Sequence, residues 1–205
     1  MQRVICYIDG FNLYFGLKSK RWRKYYWLDL VAMSQAMLKP DQHLDQCHYF
    51  TARVSSGGQS QSSRRQLVWL EALATRDRLT THFGHYLPNE VRCRSCGSSW
   101  IKPEEKMTDV NIATQLLADA YEGRFDVALV ISGDSDLAPP IKLIRQRFPD
   151  KRVIVAFPPN RSSSQLKQIA HGSWFIGEDK LRQNLLPTPL QNAAGYQIHR
   201  PPEWY

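Results

Sequence analysis

The sequence predicts an α/β protein built on a central parallel sheet that helices cover on both faces. Short apolar runs without polar alternation, "RVICYID", "VALVI" and "KRVIVAFP", read as strands buried on both sides. Segments of helical period stand between them, so strand and helix alternate along the chain. With 205 residues, 42% of them hydrophobic, the chain suits one domain that can bury its own core without disulfides.

The elements follow in order. "RVICYID" is the first strand, and a helix is expected from Phe11 to about Leu17. "KSKRWRKYYW" is a basic, aromatic connection. "LDLVAMSQAML" is an amphipathic helix closed by Pro40, and "QCHYFTARV" is the second strand. "SSGGQSQSS" has the composition of a flexible linker and precedes a helix from about Arg64 to Arg78. "LTTHFGHY" is a third strand leading into the loop "LPNEVRCRSCGSSWIKP". A helix is expected from about Glu104 to Glu122, followed by "VALVI". "PPIKLIRQRF" starts a helix with proline in its first turn, "KRVIVAFP" is the last long strand, and "SSSQLKQIA" is a short helix. The end, "LLPTPLQNAAGYQIHRPPEWY", reads as an irregular tail.

The composition bounds the function. Lys and Arg number 27 against 19 Asp and Glu, a net charge of +8, which points to an anionic partner such as nucleic acid or to a solvated basic surface. No window is long and apolar enough to span a bilayer, and "MQRVICYIDG" lacks a signal peptide's apolar run. A cytoplasmic protein with no membrane partner is therefore expected. Cys6 and Cys47 lie in strand-like runs and read as small buried hydrophobes.

In parallel sheets, ligands bind at the carboxyl ends of the strands, so the residues just after each strand carry the argument. Asp9 ends the first strand in "YIDGFN", with Asn12 opening the helix. Ser132, Asp134 and Asp136 follow "VALVI" in "SGDSD". Asp109 falls at helical period with Ile112, Ala113 and Leu116, on the sheet-facing side, with Glu105 one turn before it. Each has an ordinary reading as a cap, a turn residue or a first-turn acid. Several carboxylates aimed at one crevice repel one another unless a cation sits among them. Hard oxygen ligands favour Mg²⁺ or Mn²⁺, which also grip phosphate oxygens and activate water for phosphoryl displacement.

"YIDGFNLYF", "EEKMTDVNIATQLL" and "VALVISGDSDLAPPIKLI", in this order, resemble the NYN domain family, a branch of the PIN-like ribonucleases. The resemblance runs from roughly Arg3 to Phe175. It implies a Rossmann-like three-layer α/β/α sandwich, here residues 1–180 with an inserted loop at 86–103 and a tail at 181–205. It also implies a metal-dependent ribonuclease site. Carried over by position, Asp9, Asn12, Asp109, Ser132, Asp134 and Asp136 are its catalytic residues, and the four aspartates hold Mg²⁺ or Mn²⁺. The chain looks especially close to a branch with a "CRxCG" insertion, some members of which are named as a pyridine-pathway hydroxylase. No G-x-G-x-x-G follows a strand here, and no pair of histidines with a carboxylate marks a non-haem iron site.

Two further signals accompany the acids. Cys93-x-x-Cys96-Gly97 is half of a zinc knuckle, and tetrahedral Zn²⁺ needs two more ligands. His85, nearer the loop than His82, is the expected third. Completion by a second protomer in a homo-oligomer, or plain loop thiols, are the alternatives. Lys20, Arg21, Trp22, Arg23 and Lys24 interleave cations with aromatic faces, a pattern suited to single-stranded RNA, or else solvated charges around core aromatics. Arg53 should emerge beside the carboxylates. The expected activity is metal-dependent hydrolysis of RNA phosphodiesters. A non-catalytic RNA-binding module is the main rival. A haloacid-dehalogenase-like phosphatase needs D-x-D after the first strand, where this chain has Asp9-Gly10-Phe11.

Overall fold

The computed structural model describes residues 1–53 and 60–205, with the side chains of 86–90 and 101–105 outside the description. The elements are β1 (Gln2–Asp9), α1 (Gly10–Ser19), α2 (Leu30–Gln35), β2 (Gln42–Ala52), α3 (Gln61–Leu73), β3 (Leu79–Arg92), β4 (Ser99–Lys106), α4 (Thr108–Tyr121) and β5 (Val127–Ile131). There follow α5 (Ala138–Arg147), β6 (Arg152–Phe157), α6 (Ser164–Ile169), β7 (Gly172–Phe175), α7 (Glu178–Arg182) and the short strands β8 (Leu190–Gln191) and β9 (Gln197–Ile198).

Among the described residues the main sheet has the order β4-β3-β2-β1-β5-β6-β7. All neighbours in it are parallel except β4, which returns antiparallel along β3. The chain moves from β1 outward to β4, then crosses to the other side of β1 and moves outward again to β7. The strand order therefore reverses between β1 and β5, which is where open α/β sheets bind ligands.

The apolar strands sort side chains by alternation. Val4, Cys6 and Ile8 of β1 join a core with Leu13 and Leu17 of α1, Trp27, Met33 of α2 and Leu73 of α3. Ile5 and Tyr7 face the opposite layer with Ile112 and Leu116 of α4, Ile141 and Ile144 of α5 and Leu166 of α6. This is the three-layer α/β/α sandwich expected from the motifs. Each fully buried aliphatic side chain in these layers contributes about 1.5–3 kcal/mol relative to exposure.

Three stretches differ from the sequence expectation. The loop expected over residues 86–103 is instead a long antiparallel hairpin, in which His85 pairs with Lys106 and Arg92 with Ser99. Strand pairing overrides the helix-forming residues Glu104 and Glu105, and α4 begins only at Thr108. Glu105 therefore precedes the helix, and its side chain lies outside the described residues. Most of the "SSGGQSQSS" linker also lies outside them, and its last three residues open the helix that follows, which runs Gln61–Leu73. Finally, the expected tail is part of the core: Leu181, Leu186, Leu190, Ile198 and Trp204 are buried. Trp204 packs within 6.3 Å of Trp27, whose indole N–H donates to the Pro187 carbonyl.

Candidate active site

Asp9 is both the last residue of β1 and the N-cap of α1. Its Oδ1 accepts the Asn12 backbone N–H at 2.9 Å. Its Oδ2 accepts the Asn12 side-chain amide at 2.6 Å and the Ser132 hydroxyl at 2.8 Å. Ser132 follows β5, so these bonds join two strand ends across the point of reversal. The Gly133 N–H donates to Asn12 Oδ1 at 3.2 Å, and the Asp134 N–H donates to Ser132 Oγ at 3.0 Å. Asp134 in turn caps the short 3₁₀ turn Ser135–Leu137 by accepting the Asp136 N–H at 3.0 Å. Asp9 and Asp134 thus both attach to the Ser132 hydroxyl.

Asp9 is 2% exposed and Ser132 fully buried. Burial raises the Asp9 pKa, the donors from Asn12 and Ser132 oppose the rise, and the charge of Asp134 adds to it. Positive charge placed near the two acids would oppose that rise. Two glycines permit close backbone approaches around the junction. A Cβ on Gly10 would lie 2.6 Å from the Phe50 carbonyl oxygen, and one on Gly133 would lie 2.9 Å from the Arg161 carbonyl carbon and the Ser162 nitrogen.

The other expected acids sit differently. Asp109 is half-buried in the first turn of α4, where the helix dipole favours an acid. The buried face of that helix is instead Thr108, Ile112, Leu116, Asp119 and Ala120, so Asp109 stands beside the sheet-facing side rather than on it. Asp136 is exposed. Among the described residues no three His, Cys, Asp or Glu side chains converge closely enough to hold a metal ion. The expected cage of Asp9, Asp109, Asp134 and Asp136 is therefore not preformed, and Asp9 with Asp134 is the pair that the fold brings together.

The expected zinc set is corrected at His85. β3 continues from His85 to Arg92, which separates His85 from Cys93 by about 25 Å of extended chain. Cys93 and Cys96 do share one turn at the hairpin tip, where the Gly97 N–H donates to the Cys93 carbonyl at 3.0 Å. The Cys96 thiol is lowered to about 7 by hydrogen bonds from Ser98, with a further contribution from Cys93.

Of the basic segment, Lys20, Arg21, Arg23 and Lys24 are exposed, whereas Trp22 is half-buried against the core. Lys24 is engaged by Glu178 at 3.1 Å. Arg53 is exposed just past β2, with its guanidinium 4.7 Å from the Phe83 ring.

Two features were missed in the sequence. Arg161 is exposed in the loop after β6, which folds back over Gly133 and packs the arginine over the Phe15 ring at 5.7 Å. The rule of inspecting strand ends, applied to "FPPNRSSS", would have found it. A polar chain also runs under α4. The Tyr7 hydroxyl donates to Asp119 Oδ2 at 2.7 Å, His48 Nε2 lies 3.5 Å from the same oxygen, and His48 Nδ1 lies 3.0 Å from His82 Nε2. Asp119 is fully buried. Burial opposes its ionisation, yet hydrogen bonds from His48 and Tyr7 prevail and hold its carboxyl below the usual range. Its helical period with Ile112 and Leu116 was the available signal. The register places Asp9, Phe50 and His82 in one row across three strands, and His82 stacks on Phe50 at 4.5 Å.

A three-layer α/β protein with two strand-end aspartates joined through one serine at its switch point is the class that fold and site define. The chain belongs to the NYN domain family, whose profile matches residues 3–177. It is 30% identical over 243 aligned positions to a Pseudomonas putida protein named 6-hydroxy-3-succinoylpyridine 3-monooxygenase, covering 99% of this chain and 75% of that one. A solved structure of a protein of unknown function from Vibrio parahaemolyticus shares the fold, with a TM-score of 0.55 and 18% identity over 87% of this chain and 94% of that one. Among the described residues no helix is long and apolar enough to cross a membrane.

Proposed function

We propose that this chain is a ribonuclease that hydrolyses phosphodiester bonds of single-stranded RNA with the help of Mg²⁺ or Mn²⁺. The observation that carries the reading is the Asp9–Ser132–Asp134 junction at the β1/β5 switch point. The donor set there is hard oxygen, and Mg²⁺ retains several waters while taking one or two protein carboxylates, so two neighbouring aspartates would suffice for it. Asp9 and Asp134 would hold the ion, with Asp109 and Asp136 reaching it through water. Such an ion, when bound, supplies a polarised water and neutralises charge on the phosphate. Asn12 and Ser132 orient the Asp9 carboxylate by donating to it and oppose the rise in its pKa that burial causes. Arg161, Arg53 and the exposed cations Lys20, Arg21 and Arg23 would steer and hold the RNA backbone. All four cysteines are free thiols, as suits a cytoplasmic protein.

The test is cleavage of a single-stranded RNA by wild type and Asp134→Asn, each with and without EDTA. Wild type without chelator should cleave, and the other three conditions should lose at least about 100-fold in rate. Equal cleavage in all four would sink the reading, and salt-dependent RNA binding without any cleavage would favour the non-catalytic RNA-binding module.

A second reading rests on the name of the Pseudomonas putida relative, which would make this chain a pyridine-ring hydroxylase. Against it stands the absence of a dinucleotide fingerprint after any strand in the sequence. Membership of the branch bearing "CRxCG" is part of the proposal. Cys93 and Cys96 would there bind a structural Zn²⁺ whose remaining ligands come from a second protomer. Zinc analysis alongside oligomer mass, with and without Cys96→Ser, tests that point.

A further inference from the structure

Beside the carboxylates lies a cavity of about 320 Å³, between α1, α3 and the carboxyl end of β2. Gly10 and Phe11, the residues that follow Asp9, are part of its lining. Its walls are the aromatic side chains of Tyr14, Tyr26, Tyr49, Trp69 and Trp204. Thr51, Ser62 and Gln66 add polar groups to the same lining. Tyr14, Tyr26, Arg65 and Trp204 also border a second cavity of about 210 Å³, where Lys18, Arg23 and Arg65 meet Glu203. The two spaces form an aromatic slot that continues into a cationic vestibule.

We infer that this slot takes one unpaired nucleobase of an RNA chain whose scissile phosphate sits at Asp9 and Asp134, while the vestibule takes a flanking phosphate. The inference rests on the proposed RNA substrate and adds a subsite to it. Flat π-faces accept any base, and a stacked base contributes enough to fix the register of a flexible strand. The cations distinguish this occupant from a small uncharged ring. Lys18, Arg23 and Arg65 leave an excess of positive charge after the Arg65–Glu203 pair, whose N–O distance is 2.8 Å, and phosphate supplies the matching anion. The distances agree as well. Gly10 and Lys18 lie about 12 Å apart along α1, a span that a short stretch of single-stranded chain covers. Between them the exposed faces of Tyr14 and Phe15 line the way, with Arg161 over the Phe15 ring. Burial and the neighbouring Tyr14 push the Tyr26 pKa up to about 12. Base-paired RNA has no free face to offer the slot, so the site selects single strands.

The experiment uses the full chain carrying Asp134→Asn, so that binding is read without turnover. Single-stranded RNA oligomers carry one 2-aminopurine at successive positions, and both affinity and fluorescence quenching are measured. Strong quenching is expected at one register. Adding Tyr14→Ala, a change at a residue 43% exposed and so tolerated by the fold, should remove that quenching and weaken binding about 10-fold. Duplex RNA should bind without quenching. Uniform weak quenching at every position, or full affinity in the Tyr14→Ala form, overturns the inference. So does saturable binding of a 3-substituted pyridine in the slot with no binding of RNA. Register-specific quenching in a protein that never cleaves RNA would leave the slot standing and remove only the ribonuclease reading.

Discussion

The Ser132 hydroxyl donates to the Asp9 carboxylate at 2.8 Å while accepting the Asp134 N–H at 3.0 Å, so one buried oxygen ties β1 to the turn after β5. Ser132→Ala removes both bonds at once. Leaving the part-buried Asp134 N–H unpaired and the Asp9 carboxylate with its Asn12 donors alone costs about 1–3 kcal/mol, read as a lower urea midpoint. The Ser132 donor also lowers the Asp9 pKa against the upward push of burial. Its loss should raise that pKa further and move the acid limb of the cleavage profile to higher pH. A profile that does not move would show that Ser132 has no hold on Asp9.

Gly133→Ala should misplace Asp134. Its new Cβ would meet backbone atoms of Arg161 and Ser162 at 2.9 Å, which rotamer changes cannot relieve. Overpacking of this kind costs about 1–3 kcal/mol, and cleavage should fall with it. Gly177, where a Cβ would find nothing within 4 Å, is the control, and Gly177→Ala should change stability by less than about 0.5 kcal/mol.

His82 makes stability depend on pH. Burial and, secondarily, the neighbouring His48 lower its pKa in the folded state. A lowered histidine pKa contributes stability that is present above the unfolded value of about 6.5 and is lost as pH falls through the folded value. His171, lowered chiefly by burial, acts in the same direction. Urea midpoints of wild type should therefore fall below about pH 6.5, each histidine contributing at most about 1.4 kcal/mol per pH unit. The slope should be shallower in His82→Gln. Identical slopes would assign the effect elsewhere.

Arg161→Ala should weaken single-stranded RNA binding by a similar factor for every sequence and reduce the slope of log affinity against log salt by about 1. Arg147, exposed at the far end of α5, is the matched control, and its alanine variant should leave the slope unchanged. Equal slopes for wild type and the Arg161 variant would exclude a phosphate contact.

Asp119 should be costly to deprive of a donor. Tyr7→Phe removes a 2.7 Å donor from a fully buried carboxylate whose charge is otherwise met by His48, Gln115 and Arg124. About 1–3 kcal/mol of stability should go with it, measured by thermal or urea unfolding. RNA affinity should be unaffected, because the group lies beneath α4 and away from the proposed groove.

Much of the site was legible before the fold was known. Asp9, Ser132 and Asp134 follow runs so apolar that only a doubly covered strand accounts for them, and ligands in such sheets gather at strand ends. The hairpin of β3 and β4 was not legible. "EEK" reads as the start of a helix by propensity, and only pairing with a neighbouring strand makes it extended. His85 is near Cys93 in sequence, but an extended strand turns nearness in sequence into distance in space.

The order of apolar runs and the acids that end them determined the fold class and the carboxylates at the β1 and β5 ends. These are local properties, set by which residues can be buried on both faces. Tertiary structure alone decided that Asp9 and Asp134 share the Ser132 hydroxyl, that Arg161 returns over Gly133, and that α1 and α3 enclose an aromatic slot. Each of those meetings joins residues from separate elements. Their juxtaposition depends on strand order and helix packing, which no local pattern encodes.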